Sequence, residues 1–300
     1  MLPQVGMCLD ERWKLAYQRD RDITKEIPGY RRMLAFLTPD RDAATVTFTQ
    51  TLDLTETLPW LQARSEEWGQ KVSLLTLYVA AVGRLLHERP SLNRYVTGHR
   101  FFQRDGVSVS ISAKKSLDHG AKVVLLKVPL DAGDGVQEVA GKLRAEVKAG
   151  RGGEDLRVEK EIDFFLRLPP FLLRWALKLV FFLDRRHWLP GFFVDPDPMF
   201  ASMVIANLGS VGLDAAHHHL YEYGNCPFFA VLGRIQETPE VVDGELRMRT
   251  TVDVKYTFDE RVEDGLACAI ALSGLKDLVE QPDRFSEPLS DHGGRPPKRV

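Results

Sequence analysis

Cysteine is scarce in this chain of 300 residues. The three present, Cys8, Cys226 and Cys268, are far apart and odd in number. They make no disulfide framework and no metal-ligand spacing, which fits a reducing, cytoplasmic setting. An excess of charge of either sign is also lacking: 40 Lys and Arg stand against 42 Asp and Glu, mixed along the chain. Without a basic stripe, no nucleic-acid partner is expected. No apolar run reaches membrane-spanning length, and the first ten residues lack the basic-then-apolar build of a secretory signal. Gly209-Ser210-Val211-Gly212 is followed by no Gly-Lys-Ser/Thr, so it is not a phosphate loop. A Gly-x-Ser-x-Gly elbow is absent, which removes the anchor for hydrolase chemistry. His217, His218 and His219 are consecutive and so cannot share one direction as metal ligands should, and no metal is expected. No internal repeat occurs.

What is present builds a core. Hydrophobic residues make up 44% of the chain, enough for one large α/β domain or two small ones. Ala44–Leu54 alternates and is rich in β-branched residues, predicting a strand. Thr55–Trp68 reads as a helix with Thr55 as a candidate cap. Ser73 caps a second helix, Leu74–His87, apolar nearly all round and therefore buried. Gly106–Ser112 and Ala121–Val128 read as strands, the latter covered on both faces. Gln137–Lys148 reads as a helix. Val252, Val254, Tyr256 and Phe258 alternate with Asp253, Lys255 and Thr257, the period of a sheet with one buried face. That strand stops at Asp259-Glu260-Arg261, and Asp264-Gly265 turns the chain into an apolar helix from Leu266 to Val279.

The corner Asp259-Glu260-Arg261-Val262-Glu263-Asp264-Gly265 resembles the Asp-His-Arg-x-x-Asp-Gly signature of the 2-oxoacid dehydrogenase E2 acyltransferase and chloramphenicol acetyltransferase superfamily. Ala206-Asn207-Leu208-Gly209 and Phe228–Ile235 are similar to two further family segments, in the same order. The resemblance covers roughly residues 30 to 150 and 201 to 282. It implies an α/β, chloramphenicol acetyltransferase-like two-layer sandwich: a mixed sheet with helices packed on one face. It further implies a homotrimer, or a higher assembly of trimers, with active sites between subunits, and acyl-CoA as donor.

In the family a histidine takes a proton from a thiol or hydroxyl acceptor, which attacks the thioester while a hydroxyl on the facing strand stabilises the oxyanion. Carried over, the histidine position is Glu260, the hydroxyl is Ser202, and Asp264 fixes the corner. A carboxylate of ordinary pKa near 4.3 is a weak base at neutral pH. His218, in the loop after Gly212, is the other candidate base, set against a solvated or interface histidine. Two functions follow: a stand-alone CoA-dependent acyltransferase acting on a thiol, hydroxyl or amine with Glu260 in place of histidine, or an inactive trimeric scaffold or regulatory binding module. The expectation of a stand-alone protein rests on the roughly thirty residues ahead of the domain, too few for a lipoyl module.

The expected layout is an N-terminal arm over 1–29, the acyltransferase domain over 30–282, and a disordered tail over 283–300. An insertion at about 154–198 exceeds what the family places there. Its segment Phe171–Leu183 is dominated by large apolar groups, with Arg174 and Lys178 four apart. It reads as an extra helix packed on the sheet or at a subunit interface. The competing reading is a peripheral membrane contact or the lining of a long-acyl site.

Overall fold

The computed structural model describes residues 20–114, 123–151, 166–242 and 244–286. Residues 1–19 of the expected N-terminal arm and 287–300 of the expected tail lie outside them. Six strands form the main sheet: β2 (Thr45–Asp53), β5 (Val107–Lys114), β6 (Val123–Leu130), β7 (Met203–Asn207), β8 (Phe228–Val242) and β9 (Glu245–Asp259). Their order is β2-β9-β8-β7-β5-β6. The β5–β7 and β7–β8 pairs are parallel and the rest antiparallel, so the sheet is mixed.

The expected alternation in β9 sets the core. Val252, Val254, Tyr256 and Phe258 pack with residues of α3 (Leu74–Glu88) and α7 (Gly265–Glu280). The Ser73 hydroxyl accepts the Thr76 amide at 3.2 Å, which starts α3 where the sequence predicts. Tyr78 of α3 donates to the Tyr256 hydroxyl at 3.0 Å, so these two buried phenols satisfy each other. At Gly83 a Cβ would stand 2.8 Å from Leu130, so glycine lets α3 approach β6. Helix α4 (Val136–Arg151) joins the same layer.

One local expectation is corrected. Helix α2 spans Thr57–Glu67, and Thr55 does not cap it; its hydroxyl donates to Asp53 Oδ1 at 2.5 Å and accepts the Thr250 amide at 3.3 Å. Strand β8 runs past Ile235 through an irregularity between Leu232 and Ile235, and continues with β9 as a two-stranded ribbon to the pair Val242/Glu245. A second sheet, β1-β4-β3, is built from Arg21–Asp22, Arg100–Gln103 and Arg94–Thr97, with β3 and β4 antiparallel. Its strands carry no polar-apolar alternation because both faces are covered. Val96 and Phe101 face Ile23, Ile27, Val262 and Ala35 of α1 (Gly29–Leu37). Tyr95 and Phe102 face Leu189, Phe200 and, on α6 (Gly191–Val194), Val194.

Helix α5 (Pro170–Arg186) closes that second face with Val180 and Leu183. It ends at His187 in the left-handed region, φ 60°, whose ring stacks on Phe102 at 4.0 Å. After α7, Pro282–Ser286 forms a 3-10 turn, and Trp60 donates to Asp283 at 2.8 Å.

Candidate functional site

The corner after β9 is held from three sides. Arg261 is 2% exposed and grips Asp259 with two hydrogen bonds, Nε to Oδ1 at 2.8 Å and Nη2 to Oδ2 at 2.7 Å. Its remaining reach goes to the carbonyls of Thr38 and Pro39, at 2.9 and 3.2 Å. Burial works to discharge this guanidinium, but Asp259 outweighs it and holds the pKa above the ordinary value. Arg41 lies 4.0 Å from the same carboxylate and donates to the Tyr221 carbonyl at 2.5 Å. Its burial prevails over Asp259, leaving its pKa lowered.

Downstream, Arg31 of α1 donates to Glu263 at 2.7 Å and to Asp264 at 3.2 Å, both as ion pairs. Burial lowers its pKa, and Glu263 more than restores it. Arg94 approaches the other Glu263 oxygen at 3.9 Å. Asp264 caps α7 by accepting the Ala267 amide at 2.9 Å, fixing the start of that helix.

Between these clamped pairs stands Glu260. Its amide donates to the Ala44 carbonyl at 3.0 Å, which extends the β2 edge by one bond. Its side chain is half-buried, and among the described residues the carboxylate has no hydrogen bond or ion pair. Asp259 and Arg261 satisfy each other; Glu260 is left for something else.

Ser202, one residue before β7, is fully buried. Its amide donates to the Ser108 carbonyl at 2.8 Å, and its hydroxyl accepts the Ser108 amide at 3.2 Å. With one lone pair taken by the Ser108 amide, the hydroxyl keeps its proton for donation. Ser202 and the corner occupy the same end of the sheet, with β8 between them; at the usual interstrand spacing their backbones stand roughly 10 Å apart. Among the described residues no hydrogen bond joins Ser202 to Glu260. The His218 ring stacks on Phe229 at 4.1 Å, and its Nδ1 meets the His219 carbonyl at 2.7 Å. Phe229 belongs to the cluster of Val204, Ala215 and Leu220, apart from the helix-facing core.

Met203, Phe228 and Phe258 line a wholly apolar cavity of about 50 Å³ with Cys268. Burial, reinforced by Glu263 and Asp264, pushes the Cys268 thiol up to about 12. Among the described residues no group of three His, Cys, Asp or Glu is placed to hold a metal ion.

Sequence reasoning missed Arg31, Arg41 and Arg94. The basic residues beside Tyr30 were visible, but nothing local separates Arg31, which turns inward, from exposed Arg32.

Residues 199–286 match the family described as 2-oxoacid dehydrogenases acyltransferase (catalytic domain). The fold is that of the E2 acyltransferase cores. A probable dihydrolipoamide acetyltransferase from Listeria monocytogenes superposes with a TM-score of 0.58 at 16% identity, covering 88% of this chain and 97% of that one. A chloramphenicol acetyltransferase gives 0.54 at 14% identity, covering 87% and 98%. In sequence, the lipoamide acyltransferase component of the branched-chain alpha-keto acid dehydrogenase complex of Pseudomonas putida is 37% identical over 60 residues. That alignment covers 19% of this chain and 14% of the relative, so the chain spans a small part of that protein's length. The E2-type match includes both Ser202 and the whole Asp259–Gly265 corner.

Proposed function

We propose that this chain is an acyl-CoA-dependent acyltransferase in which Glu260 acts as the general base. The observation that carries the reading is the Glu260 carboxylate, without a hydrogen bond or ion pair among the described residues and held at the sheet's mouth between two buried, mutually neutralised ion pairs. In the reaction, Glu260 takes the proton of a thiol, hydroxyl or amine acceptor. The acceptor attacks the thioester carbonyl, and Ser202 donates to the oxyanion. Collapse breaks the carbon–sulfur bond, and the CoA thiolate recovers the proton from Glu260. The apolar lining at Met203, Phe228 and Phe258 supports a small apolar acyl group.

The resemblance to E2 acyltransferase cores supports a homotrimer with the site completed between copies. Exposed Tyr30, Met33 and Leu37 on α1 offer an apolar contact for such an assembly.

A second reading, an inactive acyltransferase-fold scaffold or binding module, is favoured by Glu260 itself, which stands where the family carries its histidine. Release of CoA from acetyl- and propionyl-CoA, with thiol, hydroxyl and amine acceptors, separates the two. Turnover by the wild type that falls about 10²–10⁴-fold in Glu260→Gln is expected for a general base. A silent wild type whose Glu260→His variant gains turnover would establish the scaffold and overturn the enzyme.

A further inference from the structure

Helix α5 leaves its most apolar stripe uncovered. Phe171, Trp175, Leu179 and Phe182 recur at helical spacing and are 62, 69, 58 and 48% exposed. The opposite side of the helix carries Val180 and Leu183, which pack toward Tyr95 and Phe102, and Asp184, which is buried. Trp188, just past the helix, adds a further ring at 58% exposure. A stripe of this kind on water is costly and marks a docking surface.

Charge identifies the occupant. From Phe165 to Val194 there are five basic residues, Arg167, Arg174, Lys178, Arg185 and Arg186, and one acid, the buried Asp184. This concentration sits in a chain whose net charge is −2. Arg174, Lys178 and Arg185 run along one flank of the stripe. Lys178 lies over the Trp175 ring at 5.4 Å, and Arg186 over Phe182 at 4.9 Å, so the cationic heads border the rings. Along the same flank a cleft of about 540 Å³ opens, bordered by Lys178, Arg185 and Arg186, with Arg185 also 3.5 Å from Asp40. A second copy of the helix would bring like charges together. An anionic surface that is apolar beneath is complementary to both features.

Length decides how the helix meets such a surface. Seventeen residues of helix extend about 25 Å, short of the ~30 Å hydrocarbon core. Among the described residues no helix is long and apolar enough to cross a membrane. We propose that α5 is a peripheral membrane anchor, lying flat on anionic lipid with the Phe171–Phe182 stripe in the acyl boundary and the Arg174–Lys178–Arg185 flank on the headgroups.

The test is cosedimentation of the intact protein with phosphatidylcholine vesicles, with and without phosphatidylglycerol. Tryptophan emission and light scattering are read on the same samples. Binding is expected only to the anionic vesicles, weakening with salt, with a blue shift lost in Trp175→Phe. Arg174→Gln with Lys178→Gln should lower the partition coefficient about fivefold per charge, about 25-fold together. Trp175→Ser with Leu179→Ser should abolish binding and leave the melting temperature unchanged, since both side chains are exposed. No sedimentation with anionic vesicles, or sedimentation indifferent to these variants, would overturn the proposal. So would a loss of oligomer mass in Trp175→Ser/Leu179→Ser, which would assign the stripe to a copy of the chain.

Discussion

Substituting the two partners of the Asp259–Arg261 pair should give unequal penalties, and the inequality tests the electrostatic account of the corner. Both side chains are at most 2% exposed, and Arg41, 7% exposed, stands 4.0 Å from Asp259. Arg261→Met removes one cation but leaves Asp259 facing Arg41, which limits the cost to about 2–3 kcal/mol, below the usual loss for a broken buried pair. Asp259→Asn leaves two buried guanidinium groups with no carboxylate between them. That should reach the upper part of the range for stranding a buried charge, about 4–5 kcal/mol. The double variant should not add the two losses, because the partners interact directly. Urea unfolding followed by far-ultraviolet circular dichroism measures all three, and the shift in midpoint at constant slope gives the difference. Equal losses, or a greater loss from Arg261→Met, would refute the claim that Asp259 serves two cations.

Two further predictions concern buried titratable groups. Burial, then Arg100, pulls the His187 pKa down to about 3, while the unfolded value is near 6.5. The unfolded chain therefore binds the extra proton between those values, and stability present above pH 6.5 is lost as pH falls toward 3. Thermal unfolding should show a weaker acid sensitivity in His187→Asn, which still tolerates the left-handed backbone at this cap; equal pH slopes would exclude the effect. Cys268 has its thiol pushed up to about 12, and Cys226, also buried, has its thiol raised by burial. Ellman's reagent at pH 8 should label neither in the native protein and both in denaturant; rapid native labelling at either would contradict the packing.

How much of this was legible depended on whether the signal was local. The strand Val252–Phe258 announced itself by alternation because one of its faces enters the apolar core while Asp253 and Lys255 on the other are only half-buried, and the turn at Asp264-Gly265 by its residue types. The small sheet carried no such mark, since Tyr95 and Val96 enter two different cores on successive residues. Helix α5 was legible as an apolar helix, yet its orientation was not. Large side chains occur all round it, and which of them face protein is settled by Tyr95 and Phe102, some eighty residues earlier. Glu260, Ser202 and Asp264 were nominated through a seven-residue signature and a strand-end anchor. Their supports were not: Arg31 reaches Glu263 across 232 positions, and long guanidinium arms leave no periodic trace.

The ribbon formed by the far halves of β8 and β9 gives the molecule a graded mechanical character. Beyond the pair Asp53/Thr251 the six-stranded sheet narrows to two strands, and Val241, Leu246 and Met248 lie exposed on them. A lone pair of strands in water is marginal by itself. Opening therefore starts at that tip and travels inward at little cost, stopping where β2 and β7 take up the ladder. Amide exchange along β9 should record this as protection rising from Glu245 toward Asp259, so that the most tightly held turns of the ladder are those that carry Glu260.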